Sequence, residues 1–139
     1  MRRLFVMAVS IVMLSLLAAC GTTSGSSDKP VEVKVTAGDY YFKSSITDFK
    51  QGVTYHFVVT NEGSMEHEFM IIAPMSSTTG AEELDTAALA HIEESDLQPG
   101  QTATVDYTFT QAYSADTLEF ACHLPGHYEL GMRLGITVK

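Results

Sequence analysis

The stretch FACHLPGHYELGM, residues 120–132, places one cysteine, two histidines and one methionine within thirteen residues. Thiolate, imidazole and thioether groups are soft or borderline ligands, which favour copper over calcium or magnesium. Cys122, His127 and Met132 follow the spacing Cys-x4-His-x4-Met, and Pro125-Gly126 predicts a tight turn that brings His127 back towards Cys122. A trigonal copper site takes two histidines and one cysteine, with a weak axial methionine. The loop therefore predicts three of the four ligands of such a site.

A second histidine must come from elsewhere, and the candidates are His56, His67 and His123. His67 shares an alternating apolar face with Phe69 and Ile71, so it is expected to point into the interior near the start of a strand. A lone histidine on an apolar face is more often structural, but the three ligands of the loop make His67 the preferred candidate. His56 points to the opposite face from its apolar neighbours and fits less well. His123 directly follows Cys122, so it should point away from it as a surface residue.

The N-terminus predicts export. Arg2 and Arg3 precede an apolar run, residues 4–17, which is too short for a good membrane span and is typical of a secretory signal. The sequence LAAC, residues 17–20, resembles a bacterial lipobox, which implies cleavage before Cys20 and lipidation of its thiol. The alternative is an ordinary signal peptide with a chance cysteine, and a twin-arginine signal is a weaker option. With Cys20 lipidated, Cys122 has no intramolecular partner, so in an oxidising setting it needs burial or a metal.

The chain divides into a signal segment, residues 1–19, a lipidated cysteine with a small polar tether, residues 20–30, and one folded domain, residues 31–139. Removal of the signal leaves six basic against seventeen acidic residues, a net charge of −11. Such a protein repels nucleic acid and suits cationic partners, although an acidic balance also serves solubility. We expect an exported protein anchored to a membrane through lipid, on a periplasmic or an outer-surface face.

The hydrophobic period is mostly two, which predicts short strands separated by turns and an all-β, antiparallel sandwich. The expected strands cover residues 31–35, 55–60, 66–72, 102–110, 117–122 and 132–138. Residues 81–96 instead predict a helical insertion, because Thr79 and Glu82 have capping-box spacing and Leu84, Ala88 and Ile92 recur at intervals of four. His91 would lie in this helix, solvated or partly packed.

The sequence resembles the cupredoxins, the small type 1 blue copper proteins. The matching segments are MEHEFMI, residues 65–71, FACHLPGHYELGMRLGITV, residues 120–138, and LQPGQTATVDYTF, residues 97–109. The resemblance implies a Greek-key β-sandwich with one copper ion at one end. It implies His67, Cys122 and His127 as the in-plane ligands and Met132 as the axial ligand. Many members carry asparagine or a small hydroxyl residue after the first histidine as a brace for the copper loop, whereas Glu68 stands here, and the 73–97 insertion is longer than in the smallest members.

Electron transfer is the leading functional hypothesis, because such a ligand set changes little between Cu(I) and Cu(II). His127 would then be the route for the electron, and Leu124, Pro125 and Tyr128 would form an apolar rim for weak docking of redox proteins.

Copper binding, delivery or tolerance at the cell surface is the alternative, suggested by further soft and nitrogen ligands: Met65, Met70, Met75, His56 and His123. These methionines are irregularly spaced, and most can fill gaps in the core. Catalysis has little support, because four protein ligands leave no open position for a small-molecule substrate, and there is neither a second bridging cysteine nor a His-x-His pair.

Overall fold

The computed structural model describes residues 29–139. The predicted signal segment, the proposed lipidation site at Cys20 and all but the end of the predicted tether lie outside the described residues. Within that range, no helix has the length and apolar character needed to cross a membrane. The expected all-β class is confirmed, since the described chain forms two four-stranded sheets, one two-stranded pair and a single short α-helix.

The first sheet has the order β2-β1-β4-β7, formed by Tyr41–Ser44, Val31–Gly38, Thr54–Asn61 and Thr102–Thr108. The alternation predicted for β4 is present, because Tyr55, Phe57 and Val59 are buried while the residues between them are partly exposed. The short turns predicted a purely antiparallel sandwich, and this is wrong in the first sheet, where β1 and β4 run parallel, with Val33 opposite Phe57. The chain leaves the sheet between β2 and β4, and this longer connection allows β4 to return in the direction of β1.

The second sheet has the order β6-β5-β8-β9, formed by Ala90–Ile92, Phe69–Ile72, Glu119–Ala121 and Arg133–Gly135. β3 (Asp48–Phe49) pairs in parallel with β10 (Thr137–Val138). Phe49, Phe57, Phe69, Phe109 and Phe120 are almost fully buried, and their ring contacts have centroid separations of 4.9–6.1 Å. Such aromatic packing supplies a large share of the burial energy of a small sandwich.

The helix predicted for residues 81–96 is wrong in its length, because only the first part of this span is α-helical. The helix α1 covers only Ala81–Ala87 and begins after Gly80, without the predicted side-chain cap from Thr79. The rest of the predicted span forms β6 and a 3-10 helix at Glu94–Asp96. Leu84 and Ile92 are both buried as the period of four required, but Ile92 is buried in a strand opposite Phe69. The free edge of β5 takes its hydrogen-bond partners from this segment, and tertiary pairing overrides the local helical pattern.

Candidate metal centre

The pairing of β5 with β8 brings the candidate ligands together. These strands are antiparallel, with Met70 opposite Ala121. The start of β5 therefore lies beside the end of β8. His67 is two residues before β5, and Cys122 directly follows β8. The prediction that His67 lies on a strand is wrong, since β5 begins only at Phe69, but its inward orientation is confirmed because its side chain is completely buried.

The loop from Cys122 to Met132 folds back on itself through backbone hydrogen bonds. The His127 amide donates to the Leu124 carbonyl at 2.9 Å, and Gly126 has φ +85°, which closes the predicted turn. The Met132 amide donates to the His127 carbonyl at 3.0 Å, and the Cys122 amide donates to the Met132 carbonyl at 3.1 Å. The two ends of the loop are thus held side by side at one end of the second sheet. Met132 is fully buried there.

Three donor atoms converge at this end of the sandwich. Nδ1 of His127 lies 3.2 Å from Nδ1 of His67 and 3.4 Å from Sγ of Cys122. Ligands bound about 2.0–2.3 Å from one metal ion lie roughly 3.2–3.8 Å apart, so a single ion between these atoms fits the observed separations. All three residues are buried, and the donor set is one thiol and two imidazoles. The residues present therefore fit a copper ion, whereas the role of Met132 as the axial ligand stays a prediction.

Burial raises the pKa of the Cys122 thiol to about 12, although the amides of Glu68 and Leu124, which point at its sulfur, act in the opposite direction. A thiol binds metal only as the thiolate. Binding of a cation here therefore displaces a proton and supplies the positive charge that the buried sulfur lacks. The burial predicted as protection for an unpaired cysteine is confirmed, since Cys122 is free and completely buried.

The carboxylate of Asp39 lies beside the outer nitrogen of His67. Its Oδ1 lies 3.5 Å from Nε2 of His67, and the same carboxylate accepts hydrogen bonds from the amide and hydroxyl of Ser64 at 2.9 and 2.8 Å. These bonds from Ser64 lower the pKa of Asp39, which keeps it anionic. A carboxylate at Nε2 favours the tautomer that leaves Nδ1 free for a metal. Burial lowers the pKa of His67, which further favours the neutral imidazole that a metal requires.

Glu68 braces the loop in place of the asparagine or hydroxyl residue expected from the resemblance. Its Oε1 accepts a hydrogen bond from the amide of His123 at 2.6 Å, directly after Cys122. The side chain is buried, with 6% of the residue exposed, and its Oε2 lies 3.5 Å from Nε2 of His91. Glu68 thus contacts the copper loop directly, through its bond to the amide of His123.

Sequence reasoning did not find Asp39 or Tyr40. The Tyr40 ring stands edge-on to the His127 ring at 5.4 Å, and its hydroxyl lies 3.8 Å from Sδ of Met65. Tyr40 has φ +68°, a left-handed conformation that is uncommon outside glycine. The turn residues Gly38-Asp39-Tyr40 carry no ligand motif, so only the positive φ, which is invisible in sequence, marks them.

The other candidate ligands lie apart from this cluster. His56 sits at the start of β4 and pairs with Asp106 of β7. Met70 is buried in a separate apolar cluster beside Leu84, with Met75 packed against it. His123 was expected at the surface, and this is wrong. Its ring stacks on Tyr128 at 4.2 Å, and both of its nitrogens are shielded from solvent without a hydrogen-bond partner in residues 29–139. The local backbone turns after Cys122, so strand alternation does not apply to His123.

A β-sandwich with a buried cysteine and two histidines at one end defines a cupredoxin. Residues 29–139 match the model of the copper binding proteins of the plastocyanin/azurin family, and the chain belongs to this family. Copper is therefore its cofactor.

The chain is 30% identical to the copper-resistant cuproprotein CopI of Pseudomonas aeruginosa, over 87% of this chain and 83% of that protein. It is 32% identical to the protein of the same name from Rubrivivax gelatinosus, over 70% of this chain but only 59% of that protein. The fold is similar to reduced auracyanin of Roseiflexus castenholzii, with TM-score 0.59, 19% identity and coverage of 80% and 98% of the two chains. Auracyanin A of Chloroflexus aurantiacus gives TM-score 0.56 at 19% identity, with coverage of 80% and 100%.

Proposed function

We propose that this protein holds one copper ion in a type 1 site, with His67, Cys122 and His127 in the plane and Met132 axial, and carries single electrons between redox partners. The observation that carries the proposal is the difference in exposure among the donors. His67 and Cys122 have no exposed surface, whereas 9% of His127 remains exposed. An electron could cross through the edge of the His127 ring, while the buried donors would shield a bound ion from solvent.

The fixed surroundings of the donors support this role. Asp39 lies 3.5 Å from Nε2 of His67, Glu68 accepts from the amide next to Cys122, and the loop hydrogen bonds fix the backbone of His127 and Met132. Donors that cannot move keep their geometry when copper changes between Cu(I) and Cu(II), so little reorganisation opposes electron exchange. With four protein donors the ion would have no open position for a substrate, and we propose a carrier and not an enzyme.

The surface beside His127 supports a weak, partly apolar contact with a partner. Pro125 and Leu130 are exposed, the latter to 61%, and Leu124 is partly buried. The prediction that Tyr128 belongs to this rim is wrong, because Tyr128 is buried and its hydroxyl donates to Glu119 at 2.6 Å. A small apolar rim on a strongly acidic protein suits transient encounters with cationic partners. Attachment through Cys20 to a membrane, on the periplasmic or the outer face, would restrict the search for membrane-bound partners.

The proposal is tested with the purified chain loaded with one equivalent of Cu(II). We expect an intense visible thiolate-to-copper band that is lost in Cys122→Ser and unchanged in His56→Gln. Repeated reduction and oxidation should bleach and restore the band without loss of copper, and self-exchange of electrons should be fast. A band that survives Cys122→Ser, or copper that dissociates on each reduction, would contradict the proposal.

Copper tolerance is a second candidate, favoured by the relatives named as copper-resistant cuproproteins. In that role the same buried donors would sequester copper outside the cytoplasm or pass it to an acceptor. The two roles differ in the fate of Cu(I). A carrier keeps Cu(I) when it is mixed with a strong Cu(I) chelator, whereas a delivery protein releases it within minutes. Growth of a deletion strain on copper, with and without the Cys122→Ser chain, would test tolerance directly.

A further inference from the structure

A second cluster of metal-binding groups lies beside the copper loop, on the segment that was predicted as helix. Nδ1 of His91 lies 3.3 Å from Oδ1 of Asp85 and 3.5 Å from Oε1 of Glu93. Asp85 is in α1, while His91 is in β6 and Glu93 directly follows it. The end of α1 and the turn into β6 therefore bring three donors from nine residues of chain to one place. None of the three belongs to the site already described.

The separations fit one ion bound by all three groups. Nitrogen and oxygen ligands about 2.0–2.2 Å from a tetrahedral ion lie roughly 3.3–3.6 Å apart. The donor atoms of Asp85, His91 and Glu93 all lie within 4.8 Å of one another. Asp85 and Glu93 are more than half exposed, at 54% and 59% of their side chains, so both can adjust their carboxylates around an ion.

Glu68 prepares His91 for this role. Its Oε2 lies 3.5 Å from Nε2 of His91, a nitrogen that is shielded from solvent and has no hydrogen-bond partner within the described residues. A carboxylate beside the outer nitrogen favours the Nε2–H tautomer, which leaves Nδ1, the atom that faces Asp85 and Glu93, as the donor. Asp39 lies in the same way beside His67, with its Oδ1 3.5 Å from Nε2 of that histidine.

The residues around this cluster are acidic, and the cluster is open to solvent. The cluster borders an open cavity of about 500 Å³ that is also lined by His123 and Glu129. No lysine or arginine is among the described residues that line it. The nearby carboxylates of Glu68, Glu93 and Asp85 raise the pKa of His91, while its burial acts in the opposite direction. The cluster therefore favours positive charge.

We infer that Asp85, His91 and Glu93 form a second metal site for a divalent ion of borderline softness, such as Zn²⁺ or Cu²⁺, with water completing the coordination. One imidazole and two carboxylates suit these ions better than Cu⁺, which favours thiolate and thioether ligands. The inference goes beyond the proposed function, because it does not depend on electron transfer or on copper tolerance. Glu68 connects the two sites, since its other oxygen accepts from the amide that follows Cys122.

The test uses the full chain with its first site filled by Cu⁺, so that Zn²⁺ is offered only the second site. Equilibrium dialysis and calorimetry with Zn²⁺ should give one bound equivalent, with the copper content unchanged. Asp85→Asn with Glu93→Gln removes two donors at exposed positions and preserves the fold. Loss of an outer partner alone weakens metal binding about 10–100-fold, so the double variant should bind Zn²⁺ at least about 100-fold more weakly.

His56→Gln is the matched control, because His56 pairs with a single carboxylate, Asp106, on the first sheet. It should keep one equivalent of Zn²⁺ at unchanged affinity. Equal Zn²⁺ affinity in the wild type and the double variant, or no bound Zn²⁺ in the wild type, would overturn the inference and leave His91 as a protonated partner of its carboxylates. The visible copper band tests the first site separately, so failure of one proposal does not imply failure of the other.

Discussion

Replacement of Glu68 by alanine should destabilise the metal-free protein, because the amide of His123 then loses the acceptor that it has among the described residues. Oε1 of Glu68 accepts from this amide at 2.6 Å, and 6% of Glu68 is exposed, so water does not readily replace the carboxylate. A hydrogen bond to a charged group contributes about 1.5–3 kcal/mol. We therefore expect Glu68→Ala to lower the free energy of unfolding by about 2 kcal/mol.

The measurement is urea denaturation of the metal-free chain, which avoids the stabilisation that bound copper adds. With an m-value of about 2 kcal/mol/M, the loss corresponds to a midpoint lowered by roughly 1 M. Glu68→Gln keeps one oxygen for the His123 amide and should lose less than half as much. Glu66→Ala is the matched control, since Glu66 is exposed and accepts from the half-buried Gln98 at 3.1 Å. Its cost should stay below about 0.5 kcal/mol.

A Glu68→Ala midpoint within experimental error of the Glu66→Ala midpoint would refute the reasoning. It would mean that the cost of burying the carboxylate cancels the bond to His123. A burial cost of this kind is several kcal/mol for an unpaired charge, so the comparison is sensitive to how well Glu68 is paired by His91 and by the amide.

Three further predictions concern the surroundings of the sites. Gly63→Ala should weaken copper binding and shift the visible band, because an added Cβ would lie 2.4 Å from Oδ1 of Asp39 and 2.9 Å from Nε2 of His67. Gly80→Ala is the control: nothing lies within 4 Å of a Cβ added there, so copper binding and the band should not change. Asn61→Ala should cost at least about 2–3 kcal/mol in urea denaturation, since the buried amide donates to the carbonyls of Met65 and Leu97 and accepts from Gly63; equal stability would contradict this. The pKa of His91 is raised from 6.5, so its protonation stabilises the metal-free fold below pH 6.5 and is lost as pH rises through the raised pKa. The stability advantage of the wild type over His91→Gln should therefore shrink from pH 6.5 to 8, whereas a constant difference would rule out protonation of His91 as the cause.

The loop from Cys122 to Met132 was predictable because its donors are local in sequence. The turn at Gly126 and the spacing of Cys122 and His127 fix most of its geometry through contacts within eleven residues. His67 was predictable only as a preferred candidate, because its approach depends on the pairing of β5 with β8 across about fifty residues. The alternation along β4 was equally clear, since each of its faces has a constant environment.

Asp39, Tyr40 and the true end of α1 could not be predicted in the same way. Asp39 reaches His67 because β1 pairs with β4 and the turn after β1 then lies beside Gly63 and Ser64. No periodic pattern in the sequence records this contact. The end of α1 is set by competition, because Ala90–Ile92 gains more from pairing with β5 than from one further helical turn. Propensity arguments see only the helix and not the open strand edge that competes with it.

Glu68 stands where asparagine was expected, and its carboxylate makes contacts that an amide could not make. An amide has one acceptor end and one donor end, so it could brace the His123 amide but could not also accept from Nε2 of His91. A carboxylate has acceptors at both ends: one oxygen of Glu68 accepts from the His123 amide at 2.6 Å, and the other lies 3.5 Å from Nε2 of His91, within ion-pair distance of a protonated imidazole. The same residue therefore contacts both the copper loop and the histidine of the neighbouring acidic cluster. The insertion that follows β5 supplies that cluster, so Glu68 links the longer insertion to the copper loop.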